Sequence, residues 1–326
     1  DDVMMSCLPP FHSFGLTVTT LLPLVEGIPM VCHPDPTDSL GVAKAVARYQ
    51  ATLLLGTSTF LSFYSRNRKV HPLMLESLRI VVSGAEKLSE RVREEFESKF
   101  QRPIYEGYGA TETTPVASVN IPDAIDTTDW KVQQGSERGS VGMPLPGTCF
   151  RVVDPDTYEP LPFGEDGLIL ISGNQVMLGY LNDPQRTEDV IREIDGLRWY
   201  VTGDKGHVTE SGFLVIVDRY SRFAKVAGEM VSLTRVEQAV GEALGDGEVE
   251  LAATNLPDAK RGEKIVLLAC GTNTSGQAIE DAIAAAELDP LLRPANVLLV
   301  DEIPKLGSGK LDLGRLKRVA TELLPA

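Results

Sequence analysis

The sequence predicts an α/β protein: a large domain of mixed sheets covered by helices, with a β-rich subdomain, followed by a small α+β domain. Three observations predict this. Short apolar runs alternate with helix-spaced patterns over the first hundred or so residues, the rhythm of a largely parallel sheet covered by helices. From about Gly139 the texture changes to short strands separated by Gly and Pro turns. Past Arg219 it changes again, to strands and helices that together have the size of an independent domain. We therefore expect domains at 1–219 and 220–326.

In chain order, the opening stretch DDVMMSCLPPFHSFG is apolar and punctuated by proline, and it reads as the interior of a domain. We expect a fragment whose large domain lacks its beginning. Leu40, Val42, Ala43, Val46 and Tyr49 fall near helical spacing between Asp38 and Gln50, and TLLLG at 52–56 reads as a buried strand. RIVVSG at 79–84 is a second. Ser89 can cap a helix whose Val92, Phe96 and Phe100 lie on one stripe. PIYEGYG at 103–109 then carries a strand into a glycine-rich loop. CFRVVD, GLILISG and FLVIVD are the strands of the β-rich part. In the last domain a helix is expected at 233–245 and strands at 248–255 and 264–271. A helix near 276–287, a strand at 296–301 and a helix near 312–324 complete it.

Composition narrows the function classes. The 326 residues are 43% hydrophobic and 24% charged, as in an ordinary globular protein with enough chain for two cores. No run approaches the roughly 20 apolar residues that span a bilayer, and no basic-then-apolar export signal opens the chain. Cys7, Cys32, Cys149 and Cys270 are scattered, and so are the four histidines, which points to a reducing, cytoplasmic setting and no built-in transition-metal site. A net charge of −15 argues against a nucleic-acid partner. Basic residues concentrate at 219–225 (Arg219, Arg222, Lys225) and 260–264 (Lys260, Arg261, Lys264), either as ordinary solvated charges or as a docking patch.

Four segments carry chemistry. In YGATETTP at 108–115, small residues let backbone approach a ligand, and the Thr111–Glu112 pair can hold a phosphate oxygen and a hard magnesium ion together. The same eight residues could equally form a turn with a capping threonine. WYVTGDKG at 199–206 places Asp204 in a Gly-flanked turn where a carboxylate can accept both hydroxyls of a ribose, although such turns are common without a ligand. Arg219 stands just beyond a strand at the expected domain junction. Lys310, in KLGSGKLD, lies on a loop from which it could stabilise developing charge on a phosphate or carboxylate.

In order and spacing these segments resemble the adenylate-forming superfamily of acyl-CoA synthetases, luciferases and peptide-synthetase adenylation domains. LPPFHSFG, VVSGAEKL, GSVGMPLPG, GLILISGNQVMLGYLND, VDRYSRF and LGSGK contribute to the resemblance, which runs over nearly the whole chain. It implies an AMP-binding domain followed by a mobile lid, with ATP and Mg2+ as cofactors. It further implies that Tyr108 and Gly109 with Gly84, Ala85 and Glu86 line the adenine pocket, and that Thr111 binds phosphate. Glu112 would hold magnesium, Asp204 and Arg219 the ribose, and Lys310 the reacting carboxylate and phosphate. His12 would line the acyl channel, or simply pack between Phe11 and Phe14, and the loop around Gly228 would help form the thiol tunnel.

VAGEMVSL at 226–233 and PKLGSGKLD are similar to the acyl-[acyl carrier protein] synthetase half of bacterial bifunctional 2-acylglycerophosphoethanolamine acyltransferases. That resemblance implies a long-chain fatty acid as substrate and the pantetheine thiol of acyl carrier protein, or CoA, as acceptor. Membrane association, at the cytoplasmic face of the inner membrane, would come from sequence preceding Asp1. Two departures stand out: Ser221 occupies the hinge position, and the Gly/Ser/Thr-rich loop that wraps the ATP phosphates is absent. Residues 1–326 alone are therefore expected to adenylate weakly or not at all, which leaves a non-catalytic nucleotide- or carrier-binding module as the rival reading.

Two further motifs are set aside. HPDPTD at 33–38 has the His-x4-Asp spacing of glycerolipid acyltransferases but is broken by Pro34 and Pro36. GSGK lacks the glycine and the Ser/Thr of a Walker loop, because Pro304 and Leu311 stand there.

Overall fold

The computed structural model describes residues 2–245, 249–271, 275–305 and 311–324. The chain divides into two compact units, Asp1–Val217 and Asp218–Ala326.

In the first unit, β1 (Met4–Ser6), β2 (Met30–Cys32), β3 (Leu53–Gly56), β4 (Ile80–Ser83) and β5 (Ile104–Gly109) pair in parallel. β6 (Val116–Val119) turns back antiparallel to β5. β7 (Ala124–Asp126) and β8 (Lys131–Gln133) form a separate exposed hairpin, and β9 (Met143–Pro144) closes the sheet order β2-β1-β3-β4-β5-β6-β9. Phe14–Leu21 winds as a π-helix, a rare form that recurs at functional sites, and runs into α1 (Leu22–Glu26).

α2 (Ser39–Tyr49), α3 (Ser58–Arg66) and α4 (Glu90–Phe100) cover the parallel strands. α2 starts where Asp38 accepts a bond from the Gly41 amide at 2.9 Å, and it buries Val42, Ala43 and Val46. Tyr49, expected on the apolar stripe, is exposed and lies beside the Arg48 guanidinium instead. α4 buries Val92, Phe96 and Phe100, one residue per turn, as their spacing predicts. Ser89 sits at its N-cap position, but its side chain makes no capping bond; its amide donates to Ser58 Oγ, and Glu90 supplies the favourable negative charge of the first turn. Lys99 closes the carboxy end of α3, donating to the carbonyls of Tyr64, Ser65 and Asn67 at 2.9–3.1 Å.

The β-rich part is a second, antiparallel sheet of β10 (Thr148–Val153), β11 (Gly167–Gly173), β12 (Ile191–Ile194), β13 (Leu197–Val208) and β14 (Leu214–Arg219), with α5 (Pro184–Val190) entering β12. β11 is buried along nearly its whole length, which explains its unbroken apolar run.

The second unit is a five-stranded sheet with helices on both faces. β15 (Phe223–Val226) and β16 (Glu229–Ser232) form a hairpin whose two turn residues, Ala227 and Gly228, both have positive φ (52° and 92°). α6 (Leu233–Leu244) precedes the long hairpin of β17 (Glu250–Asp258) and β18 (Gly262–Cys270). α7 (Gly276–Ala285), β19 (Asn296–Leu299) parallel to β18, and α8 (Leu313–Leu323) follow. Alternation along β18 sends Ile265, Leu267 and Ala269 into a core with α6 and α7, and Val266 and Leu268 into a second core with α8. Arg222, Glu237 and the Ala253 carbonyl form a buried network under α6, with the ion pair at 2.5 Å.

Candidate functional site

The site grows from β5. Arg93 on α4 anchors this strand by donating to the Ile104 carbonyl at 2.7 Å and pairing with Glu106, whose carboxyl is raised above its ordinary value by burial despite the guanidinium. Two residues on, Tyr108 points its hydroxyl at Asp204 Oδ2, joining positions 96 residues apart. Asp204 is only 4% exposed, and a carboxylate so placed is held by such bonds. Burial first, and then the Asp204 charge, push the Tyr108 phenol well above its ordinary value.

Asp204 was expected in a tight turn after a strand, and the structure corrects this. It lies inside β13, at an irregularity where Ile169 alone stands opposite residues 202–204: Leu168 pairs with Lys205 and Leu170 with Val201. Gly203 takes φ +72°, and Thr202 Oγ1 bridges the gap by donating to the Ile169 carbonyl and accepting from the Asp204 amide. A bulge re-aims one side chain without ending the strand.

After Gly109 the chain forms a single turn, Thr111–Thr113. The capping threonine is Thr113: buried, its hydroxyl accepts from the Ala110 amide and donates to the Pro115 carbonyl at 2.6 Å, with the Ala110 carbonyl 3.0 Å away. Thr111 and Glu112 are left to face outward. Thr111 Oγ1 lies 3.3 Å from Ser13 Oγ, and the Glu112 carboxylate accepts from the Tyr180 hydroxyl at 2.5 Å. Burial and the neighbouring Glu112 push the Tyr180 phenol up to about 12. Neither Ser13 nor Tyr180 was singled out from the sequence. Ser13 follows His12 directly and Tyr180 sits in the GYLND stretch, but only the fold shows what they touch.

His12 Nδ1 accepts from the Phe14 amide at 3.2 Å, which fixes its ring at the start of the π-helix. Phe14 is buried, and a Cβ added to Gly84 would come within 3.3 Å of its ring, so the His12 segment abuts the Gly84–Glu86 turn. Phe11 is exposed. Ala85 adopts φ +69°, and Glu86 accepts from the Thr59 amide at 2.5 Å, tying that turn to the first turn of α3.

These residues all belong to the first unit. Arg219 ends β14 and Gly228 forms the β15–β16 turn, both in the second unit; Lys310 lies outside the described residues. Within the second unit the two basic segments meet. The Ala227 amide donates to the Arg261 carbonyl at 2.7 Å, and Lys225, Gly228, Lys260, Arg261 and Glu263 line an open cavity of about 730 Å³. Glu263, the acid among them, is engaged by the Lys225 amide and by Asn255.

Among the described residues no group of three or more His, Cys, Asp or Glu could hold a metal. The fit to magnesium is of another kind. This ion keeps waters and takes one or two carboxylates together with substrate phosphates, and a single outward carboxylate beside a hydroxyl, as at Glu112 and Thr111, suits it. No helix among the described residues is long and apolar enough to cross a membrane.

The last parallel strand carries Tyr108 to a buried aspartate 96 residues away and leads directly into the turn that bears Thr111 and Glu112. The chain belongs to the AMP-binding enzyme family, whose profile matches residues 1–181. It is 32% identical over 313 residues to the long-chain-fatty-acid–CoA ligase of Salmonella typhimurium, covering 95% of this chain and 52% of that protein. The Bacillus subtilis long-chain-fatty-acid–CoA ligase is 30% identical over 326 residues, covering 98% and 55%. Among solved structures, ATP-bound MatB from Rhodopseudomonas palustris superposes with a TM-score of 0.81 at 26% identity, over 99% of this chain and 60% of that one. The chain thus spans about half the length of the curated relatives it matches.

Proposed function

We propose that the protein of which this chain is part activates a long-chain fatty acid with ATP and passes the acyl group to a pantetheine thiol. The observation that carries this reading is the Tyr108–Asp204 contact, which unites two distant segments next to Thr111 and Glu112. In the first step a carboxylate oxygen of the acid attacks the α-phosphorus of ATP, and the bond to pyrophosphate breaks. In the second the thiol sulfur attacks the acyl carbon, AMP leaves and the thiol proton is released. Tyr108, Gly109 and the 84–86 turn hold the adenine, Asp204 and Arg219 the ribose hydroxyls, and Thr111 a phosphate oxygen. Glu112 would hold magnesium, which neutralises phosphate charge when bound. Lys310 is assigned to the reacting carboxylate and phosphate, His12 to the acyl channel and Gly228 to the thiol path.

For the acceptor we favour acyl carrier protein. The AGEMVSL stretch supports this, as does the cluster of Lys225, Lys260 and Arg261 around Gly228, since carrier proteins are acidic. On this reading the loaded carrier supplies a lysophospholipid acyltransferase. CoA is the second reading, favoured by the names of the relatives at 30–32% identity. Calorimetry with AMP and a non-hydrolysable acyl-adenylate analogue tests the site. Binding that Asp204→Ala weakens by roughly ten- to a hundredfold, about 1.4–2.8 kcal/mol, is the expected result; equal affinity in both proteins would remove Asp204 from the site.

A further inference from the structure

We propose that Tyr180 is a positioning residue for Glu112: it ties one carboxylate oxygen so that the other is presented to magnesium. This rests on the assignment of Glu112 above and extends it to a residue about 70 positions downstream.

The geometry is specific. Tyr180 donates to Glu112 Oε1 at 2.5 Å, and no hydrogen bond to Oε2 occurs among the described residues. The backbone of the same glutamate is held too, its carbonyl accepting from the Met177 amide at 2.8 Å. The segment carrying Tyr180 is itself clamped. The Tyr180 amide donates to Thr187 Oγ1 at 2.9 Å, and that hydroxyl donates to the Asp183 carbonyl, locking the tyrosine to the first turn of α5. Arg198 donates to the carbonyls of Met177 and Leu178, and Thr114 Oγ1 to that of Gln175. The Arg186 guanidinium sits 4.1 Å from the centre of the Tyr180 ring, a cation–π contact that packs against one face of the ring. A Cβ on Gly179 would lie 2.7 Å from Thr187 Cγ2, so glycine lets this segment lie close against the start of α5.

A surface glutamate otherwise samples many rotamers, and ordering it at the moment of metal binding costs affinity. A hydrogen bond to one oxygen removes that cost in advance, as partners behind metal-binding carboxylates generally do, and losing such a partner costs about 10–100-fold in metal affinity.

The test is calorimetry of ATP binding to the full chain with and without excess Mg2+, on the wild type, Glu112→Gln and Tyr180→Phe. The wild type should bind ATP more tightly with Mg2+, and Glu112→Gln should lose that gain. Tyr180→Phe should lose about tenfold of the gain while its metal-free ATP affinity and melting temperature stay at wild-type values. A full Mg2+ gain in Tyr180→Phe, with the gain lost in Glu112→Gln, overturns the inference and leaves Glu112 in place. An equal drop in metal-free affinity also overturns it, since the tyrosine would then be shaping the loop and not the metal ligand. If the wild type shows no gain, or Glu112→Gln keeps it, the assignment of Glu112 fails and Tyr180 falls with it.

Discussion

At the scale of single residues, several groups with a titrating proton are held by burial as much as by a partner. Tyr64 is 1% exposed and Tyr108 faces Asp204; burial raises both phenols well above their ordinary value of 10. Burial likewise lifts the Cys7 thiol from 9 to about 11. Each keeps its proton in the fold at a pH where the unfolded chain has lost it. Their contribution is therefore fully present below the unfolded values and is lost progressively as pH rises from those values through the raised folded ones. Urea midpoints should stay level from neutral pH to about 9 and fall steeply above about 10. A midpoint that holds to well above 11 would mean these groups ionise without penalty. Proximity in sequence pointed to Thr111 and Glu112 as a pair. That Thr113 takes the capping role, leaving the other two outward, depends on a carbonyl at Pro115 that no spacing rule identifies.

At the scale of elements, the site is made where backbones come too close for ordinary side chains. β5 and β6 pair with an irregularity between Tyr108 and Gly109, and a Cβ on Gly109 would lie 1.8 Å from the Pro115 carbonyl oxygen. Gly109→Ala must push the two strands apart beneath the Thr111–Glu112 turn. A loss of about 1–3 kcal/mol in stability is expected, typical of forced overpacking, together with weaker AMP binding. Denaturation and calorimetry on the same protein check both, and an unchanged stability would show that the turn can relax without cost. The bulge at Asp204 follows the same logic. Read as a string, TGDKG looks like a turn because Gly-Asp commonly is one. Pairing with β11 on both sides of the irregularity keeps it a strand and aims the carboxylate at Tyr108.

At the scale of the whole molecule, net charge and its local exception decide what docks. The chain carries −15, so an acidic partner meets repulsion everywhere except where cations gather. On the proposed carrier-protein reading, reversing Lys225, Lys260 and Arg261 together to glutamate should lower the rate of acyl transfer to carrier protein by tenfold or more. Binding of the acyl-adenylate analogue should not change. The effect should shrink with added salt, as for any exposed charge pairing. If transfer to carrier protein is untouched while transfer to CoA falls, the cavity serves CoA.

Helices and strands were legible because period and capping are local: Asp38 before Val42, Ala43 and Val46, or the four-residue spacing of Val92, Phe96 and Phe100, needs no distant partner. The ordered motifs likewise identified the family, since each segment keeps its own residues whatever lies between. The tertiary structure decided the rest. It brought Asp204 to Tyr108 across 96 residues, Tyr180 to Glu112, Ser13 to Thr111, and Lys225 to Lys260 and Arg261. Those meetings depend on strand register and on a bulge, and register is set by which faces are buried together, a property of the packed chain that no short stretch of sequence contains.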